Sequence, residues 1–198
     1  MLRYQELLLR MEIVVKAILL SILFFSSGCT SLFAAEKQID PEQSTITIRV
    51  GKTGLFSAAG HEHIVKAPIA QGTIDDGAMP HVTFRVEAAR LMVEPEEHRT
   101  EIQRAMQERV LESSRYPEIR FASDKVQPDG DGRWDIAGTL MLHGQSKPLQ
   151  VRVQLVRDEY LGTALIKQSD FGIQPVSAGG GTVKVKNELK IDFSIKVR

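Results

Sequence analysis

From residue 38 onward the chain alternates apolar and polar positions with a period of two, the mark of strands that bury one face. Ile46, Ile48 and Val50 alternate with Thr45, Thr47 and Arg49, and Val82, Phe84 and Val86 with Thr83, Arg85 and Glu87. Ile119 and Phe121 follow Pro117; then Trp134, Ile136, Leu140 and Leu142 share one face of a long strand. Val151, Val153 and Leu155 repeat the pattern. The last strand is the clearest, with Leu189, Ile191, Phe193, Ile195 and Val197 on one side and Lys190, Asp192, Ser194 and Lys196 on the other. Weaker strands are expected near Ile69–Ile74 and Leu161–Gln168, making about eight. Turn signals separate them: "DDGAMP" at 75–80, "QPDGDG" at 127–132, "HGQSKP" at 143–148 and "DEY" at 158–160. These are short enough for antiparallel hairpins.

The period changes once. In "PEEHRTEIQRAMQERVLES" at 95–113, Ile102, Ala105, Met106, Val110 and Leu111 form a single helical stripe. Pro95, Glu96 and Glu97 suit a first helical turn. An open sheet with one apolar face needs helices to cover it, and one amphipathic helix cannot cover eight strands. Closing the sheet on itself buries the same face without them. The fold class expected is therefore all-β: an eight-stranded antiparallel barrel with one amphipathic helix capping a mouth or lying on the flank. No internal repeat, linker or second domain is visible.

Residues 1–35 read differently. Lys16 followed by the apolar run Ala17–Phe25 and then small residues is a signal-peptide pattern, too short for the ~20 residues of a membrane helix. Met1 and Met11 both suit as the start. Two processing outcomes stay open: a lipoprotein signal ending at Ser27-Gly28, with Cys29 lipidated, or cleavage after Ala34 or Ala35. Both predict export to the periplasm or cell envelope, with membrane contact only through an N-terminal lipid. The domain after Cys29 carries no other cysteine, so neither disulfides nor thiol chemistry are expected within it. Without residues 1–35 the formal charge is −1 (22 basic against 23 acidic), which argues against nucleic-acid binding.

Candidate chemistry is sparse. The stretch "GLFSAAGHEHIVKAP" at 54–68 sets His61 and His63 on one side of an extended segment, where two imidazoles could share a metal. A third ligand would have to come from His81, His98, His143 or a carboxylate. The competing reading is a polar pair at a barrel mouth. No nucleophile elbow accompanies it. "SAGGGTVKVK" at 177–186 lacks the Gly-Lys-Ser/Thr ending of a phosphate loop; its glycines suit a bend or bulge before the last strand. Lys184 and Lys186 then form either a solvated strand face or a seat for an anionic head group. Trp134, the only tryptophan, is either core packing or a cavity wall. The sequence shows no metal-protease helix, dinucleotide fingerprint or thiol-redox motif, so neither an enzyme nor a cofactor is expected.

Three stretches together resemble one family. "LESSRYPEIRFAS" at 111–123 is similar to its yP-x-I-x-F-x-S strand, and "WDIAGTLMLHGQSKPLQVRV" at 134–153 to its G-x-L-T-x-H-G-x-T-K-P-V hairpin. "KQSDFGI" at 167–173 is similar to its R-x-D-F-G-I element, and all three follow "IDPEQSTITIRV" at 39–50 in the expected order. Residues 38–198 thus resemble a YceI-like domain, of a family described as polyisoprenoid-binding and lipocalin-like. The resemblance implies an eight-stranded barrel around an elongated apolar cavity for an isoprenoid, prenyl quinone or similar lipid, in the bacterial periplasm. The alternation independently places Phe84, Phe121, Trp134, Leu140, Leu142, Val153, Ile191 and Phe193 on one face, the expected cavity wall. His61 and His63 are the candidate polar mouth, and a metal or haem site used in redox or stress defence is the alternative. This sequence departs from the family where Lys52 stands at a position that is often histidine and "AAGHEHIVKAP" replaces a Gly-x-Phe feature.

Overall fold

Among the described residues the barrel wall is built as the alternation predicts, but its main sheet comes in eleven strand segments rather than eight. The computed structural model describes residues 36–53, 63–77, 79–94, 99–178 and 183–198. His61, Cys29, the signal segment and the helix start at 95–98 lie outside the described residues. The main sheet comprises β1 (Lys37–Gln38), β2 (Thr45–Val50), β3 (His63–Lys66), β4 (Ile69–Asp75), β5 (His81–Glu87) and β6 (Met92–Glu94). It continues through β7 (Glu118–Pro128), β8 (Arg133–Leu142), β9 (Gln145–Val156), β10 (Glu159–Lys167) and β11 (Glu188–Lys196). Every pairing is antiparallel.

The excess over eight has a local cause. Three adjacent strands are each broken once, so that β1–β2, β3–β4 and β5–β6 are three courses in six pieces. The breaks are legible: Asp40-Pro41, Ala67-Pro68 and a 3-10 turn at Ala88–Arg90. Proline has no N–H to donate to a ladder. Asp40 Oδ1 instead accepts from Glu42 N at 3.0 Å and Gln43 N at 3.2 Å, an Asx turn. Ser44 Oγ restores the lost rungs, accepting from Lys196 N at 3.0 Å and donating to Lys196 O at 3.3 Å. Ala67, Ala88 and Ile69 are buried where the corner turns. The ring closes because the first course pairs on both sides. Ile39 N donates to Gly72 O and Asp40 N to Lys196 O, each at 2.8 Å, and Ile39 bridges Val197.

Two hairpins use two-residue turns with both central residues left-handed: His143–Gly144 (φ 50° and 70°) and Arg157–Asp158 (φ 48° and 68°). That geometry matches the twist of paired strands. Between β6 and β7 runs the short helix α1 (Arg99–Ala105), continued by a π turn at Met106–Val110. Its stripe faces inward as expected. Two glutamines one turn apart fix it to the barrel: Gln103 Nε2 donates to Leu91 O at 2.6 Å and its Oε1 accepts from Val93 N at 2.9 Å. Gln107 Nε2 donates to Ala88 O at 3.0 Å. They satisfy backbone groups that no strand reaches.

Around β11 the outer face is polar and locally paired. Asp192 accepts from Arg49 Nε at 2.8 Å and Thr163 Oγ1 at 2.9 Å, and Lys190 Nζ lies 3.1 Å away. The Arg49 hydrogen bond first, with Thr163 and Lys190 adding, holds its carboxyl at about 2, against burial. A lowered folded-state value means the stabilisation is full above the unfolded pKa of 3.8 and is lost as pH falls toward about 2. Solvent screening keeps it below about 1 kcal/mol. Urea titrations at pH 7 and pH 2.5 should show Asp192→Asn destabilised at the first and closer to the wild type at the second; an equal deficit at both would contradict the pairing.

Candidate functional site: an apolar cavity inside the barrel

The inward faces do not meet at the centre. They enclose a cavity of about 550 Å³. On β8 the lining runs from Trp134 to Leu142, roughly 26 Å of strand at ~3.3 Å per residue. With a barrel tilt of 35–45°, that is about 20 Å along the axis. Phe84, Phe121, Trp134, Leu140, Leu142, Val153, Ile191 and Phe193 all line it, as do Ile102, Met106 and Val110 from the helix. The alternation in β9 fails only at its end: Leu155 is 38% exposed where the strand passes Gly132, and it is not part of the lining.

Small inward residues make the room. The sequence Tyr160-x-Gly162-x-Ala164-x-Ile166 carries one face of β10, its outward positions being Leu161, Thr163 and Leu165. This polarity is inverted relative to the usual signal, so hydropathy marks the strand only weakly. Gly138 and Gly162 lie under aromatic rings of neighbouring strands, Phe121 and Phe193. A Cβ at Gly138 would meet Phe121 Cζ and the Ala122 carbonyl oxygen at 2.5 Å. The rings lie flat on the wall because the glycines leave a seat for them.

Polar lining groups sit at the two ends. At the turn end Asp76 Oδ2 accepts from Lys37 Nζ at 2.6 Å and from the Tyr160 hydroxyl at 3.4 Å. The Lys37 hydrogen bond holds the Asp76 carboxyl below its ordinary value, and the Asp76 hydrogen bond raises the Lys37 ammonium. Burial, with the Asp76 charge adding, pushes the Tyr160 phenol up, so it stays a neutral donor. Trp134 packs on Tyr160 with ring centroids 5.8 Å apart. Nothing in the spacing of Lys37, Asp76 and Tyr160 announces this group; it forms because the ring closes through β1. At the helix end, half-buried His63 lines the cavity as the first residue of β3, opposite Val50. Gln168 lines it too, and its Nε2 donates to Lys186 O at 2.9 Å.

Of the suggested third metal ligands, His81 lies at the turn end beside Glu36 and Asp75, and His98 is outside the described residues. His143 is engaged elsewhere: its Nδ1 is 3.2 Å from Phe171 O and its Nε2 3.3 Å from Glu112 Oε1. Its ring packs on Tyr116 at 4.3 Å. Among the described residues no three His, Cys, Asp or Glu side chains gather into a metal-binding group. Lys184 is exposed while Val185 joins the lining.

The His143 contacts bring together the segments "RYP", "LHG" and "DFG", far apart in sequence. The YceI-like domain model matches residues 38–197. The chain belongs to the YceI-like family. Curated relatives of this YceI-like chain include a UPF0312 protein of Vibrio cholerae, 31% identical over 78 residues (34% of this chain, 41% of that one). Another, from Vibrio parahaemolyticus, is 33% identical over 92 residues (41% and 47%). The matched stretch thus spans less than half of these curated relatives. Among solved structures, BcnA of Burkholderia cenocepacia superposes with a TM-score of 0.58 at 16% identity, covering 79% of this chain and 98% of that one. A polyisoprenoid-binding domain from Saccharophagus degradans gives 0.56 at 15% identity, covering 80% and 95%. Both likenesses concern the fold.

Proposed function

We propose that this YceI-like protein is an exported carrier or sequestering protein that holds a long apolar ligand, an isoprenoid, prenyl quinone or similar lipid, inside its barrel. The observation that carries this reading is the cavity itself. Kept dry and empty, about 550 Å³ would cost on the order of 10 kcal/mol by the scaling of engineered cavities. That is comparable with the whole stability of a typical domain, roughly 5–15 kcal/mol. An apolar chain repays the cost, each buried methylene contributing up to about 0.8 kcal/mol. Affinity then needs no reaction and no metal, and selectivity falls to cavity length and the polar groups at either end. The polyisoprenoid-binding domain among the fold neighbours supports the same ligand class. Export rests on the signal pattern at 1–35, and anchoring on Cys29.

Titration with ubiquinone-2, a short prenyl quinone, should quench Trp134 saturably at micromolar concentrations, and the water-soluble ring without its prenyl tail should not. No quenching by either would remove the reading. Labelling cells with radioactive palmitate should mark the wild-type protein and not Cys29→Ser if the lipoprotein outcome holds; an unlabelled wild type identifies ordinary cleavage.

A further inference from the structure

The barrel wall is not uniformly zipped. Strand β9 pairs with β8 from Gln145 to Gln154, and β10 pairs with β11 from Glu159 to Lys167, each over nearly its whole length. Between β9 and β10, however, the ladder runs only from Val156↔Glu159 to Arg152↔Thr163 and stops. Continued in register, its next rungs would join Val151 to Ala164, Gln150 to Leu165, Leu149 to Ile166 and Pro148 to Lys167. None of these pairs forms.

The sequence supplies one cause for the far end of this gap. Counting from the two-residue turn at His143–Gly144, alternate residues of β9 point their backbone groups at β8. The others, Ser146, Pro148, Gln150, Arg152 and Gln154, point theirs at β10. Pro148 therefore falls on the β10 side, where it has no N–H to give. The 3-10 turn Gln168–Phe171 bounds the open stretch, with Phe171 buried.

Outside the seam lies a second groove of about 210 Å³, lined by Pro148, Leu149, Leu165, Ile166 and Phe171 among others. Leu149 and Ile166 line both this groove and the internal cavity. Among the described residues, these two apolar side chains are shared between the inner and outer linings. Leu165, on the outer lip, is 57% exposed, and Lys147 and Lys167 also line the groove.

We infer that the β9–β10 seam is the lateral portal through which an apolar chain loads into the barrel. Crossing a zipped part of the wall would break several backbone hydrogen bonds, each worth roughly 1 kcal/mol net and more when left unpaired in an apolar setting. Crossing the seam breaks no β9–β10 rung beyond Arg152↔Thr163, and Leu149 and Ile166 are the side chains that would have to give way. At the helix end, by contrast, the side-chain amides of Gln103 and Gln107 hold the helix across the described part of the mouth. The inference rests on the cavity being a ligand site.

Gln150→Cys/Leu165→Cys, in a Cys29→Ser full chain, places two thiols outward on opposite lips without changing the cavity lining. Joined by a short bis-maleimide, this variant should take up ubiquinone-2 at least tenfold more slowly than its unlinked form, followed by stopped-flow quenching of Trp134. The same linkage at Gln154→Cys/Leu161→Cys, where the strands are paired, should leave the rate unchanged. Equal uptake by the linked and unlinked seam variants would overturn the portal while leaving the binding reading intact. Failure of the unlinked forms to bind at all would sink the binding reading and the portal with it.

Discussion

Gly138→Val is expected to cost the barrel about 3 kcal/mol, read as a fall in the urea midpoint at unchanged slope. The new Cβ would sit 2.5 Å from both Phe121 Cζ and the Ala122 carbonyl oxygen, so a ring and a backbone must both move. Neither can move cheaply. Phe121 is buried and stacked on Phe84 with centroids 5.5 Å apart, and Ala122 is a rung of the β5–β7 ladder. Gly162→Val should behave alike, because its Cβ would collide with the Phe193 ring and approach Arg152 O at 2.8 Å. A loss below about 0.5 kcal/mol, the range of an ordinary surface change, would show that the rings are not seated on these glycines.

Ala164→Trp, one period of the alternation beyond Gly162 on the same inward face, should do the opposite. Ala164 lines the cavity, opposite Ile191, so an indole there extends into space rather than into atoms. Stability is expected to stay within about 1 kcal/mol of the wild type or to rise, since filling a void restores contacts. Affinity for ubiquinone-2 should fall at least 100-fold, about 2.7 kcal/mol. Because the new indole adds its own fluorescence, competition against a fluorescent fatty acid in the wild type and equilibrium dialysis in the variant give the comparison. Unchanged affinity with unchanged stability would mean that the cavity is not where the ligand lies.

Much of the wall was legible because a half-buried strand writes its face into every second residue. The last strand, β8 and β5 came through with their inward residues in place, and so did the helical stripe of Ile102, Met106 and Val110. The count of segments was not legible as such, although its causes were present: Pro41 and Pro68 were visible, but that a corner crosses three neighbouring courses depends on their register. The turn-end polar group escaped because Lys37, Asp76 and Tyr160 meet only when the ring closes. In β10 the outward Leu161 and Leu165 mask the inward Gly162 and Ala164, so hydropathy points the wrong way where the cavity needs small residues. His63 lines the cavity, while His61 lies outside the described residues. The seam depended on knowing which side of β9 Pro148 faces, which a turn of fixed length decides and a hydropathy pattern does not.

The central claim, that the barrel is a container, is tested most directly by native mass spectrometry of the full chain purified without detergent and then offered a series of prenyl alcohols of increasing length. The expected result is a one-to-one complex whose stability in the gas phase and in competition rises with chain length until the cavity of about 550 Å³ is full, and then levels off. A protein that appears only at its bare polypeptide mass, and takes up none of the series, would contradict the account.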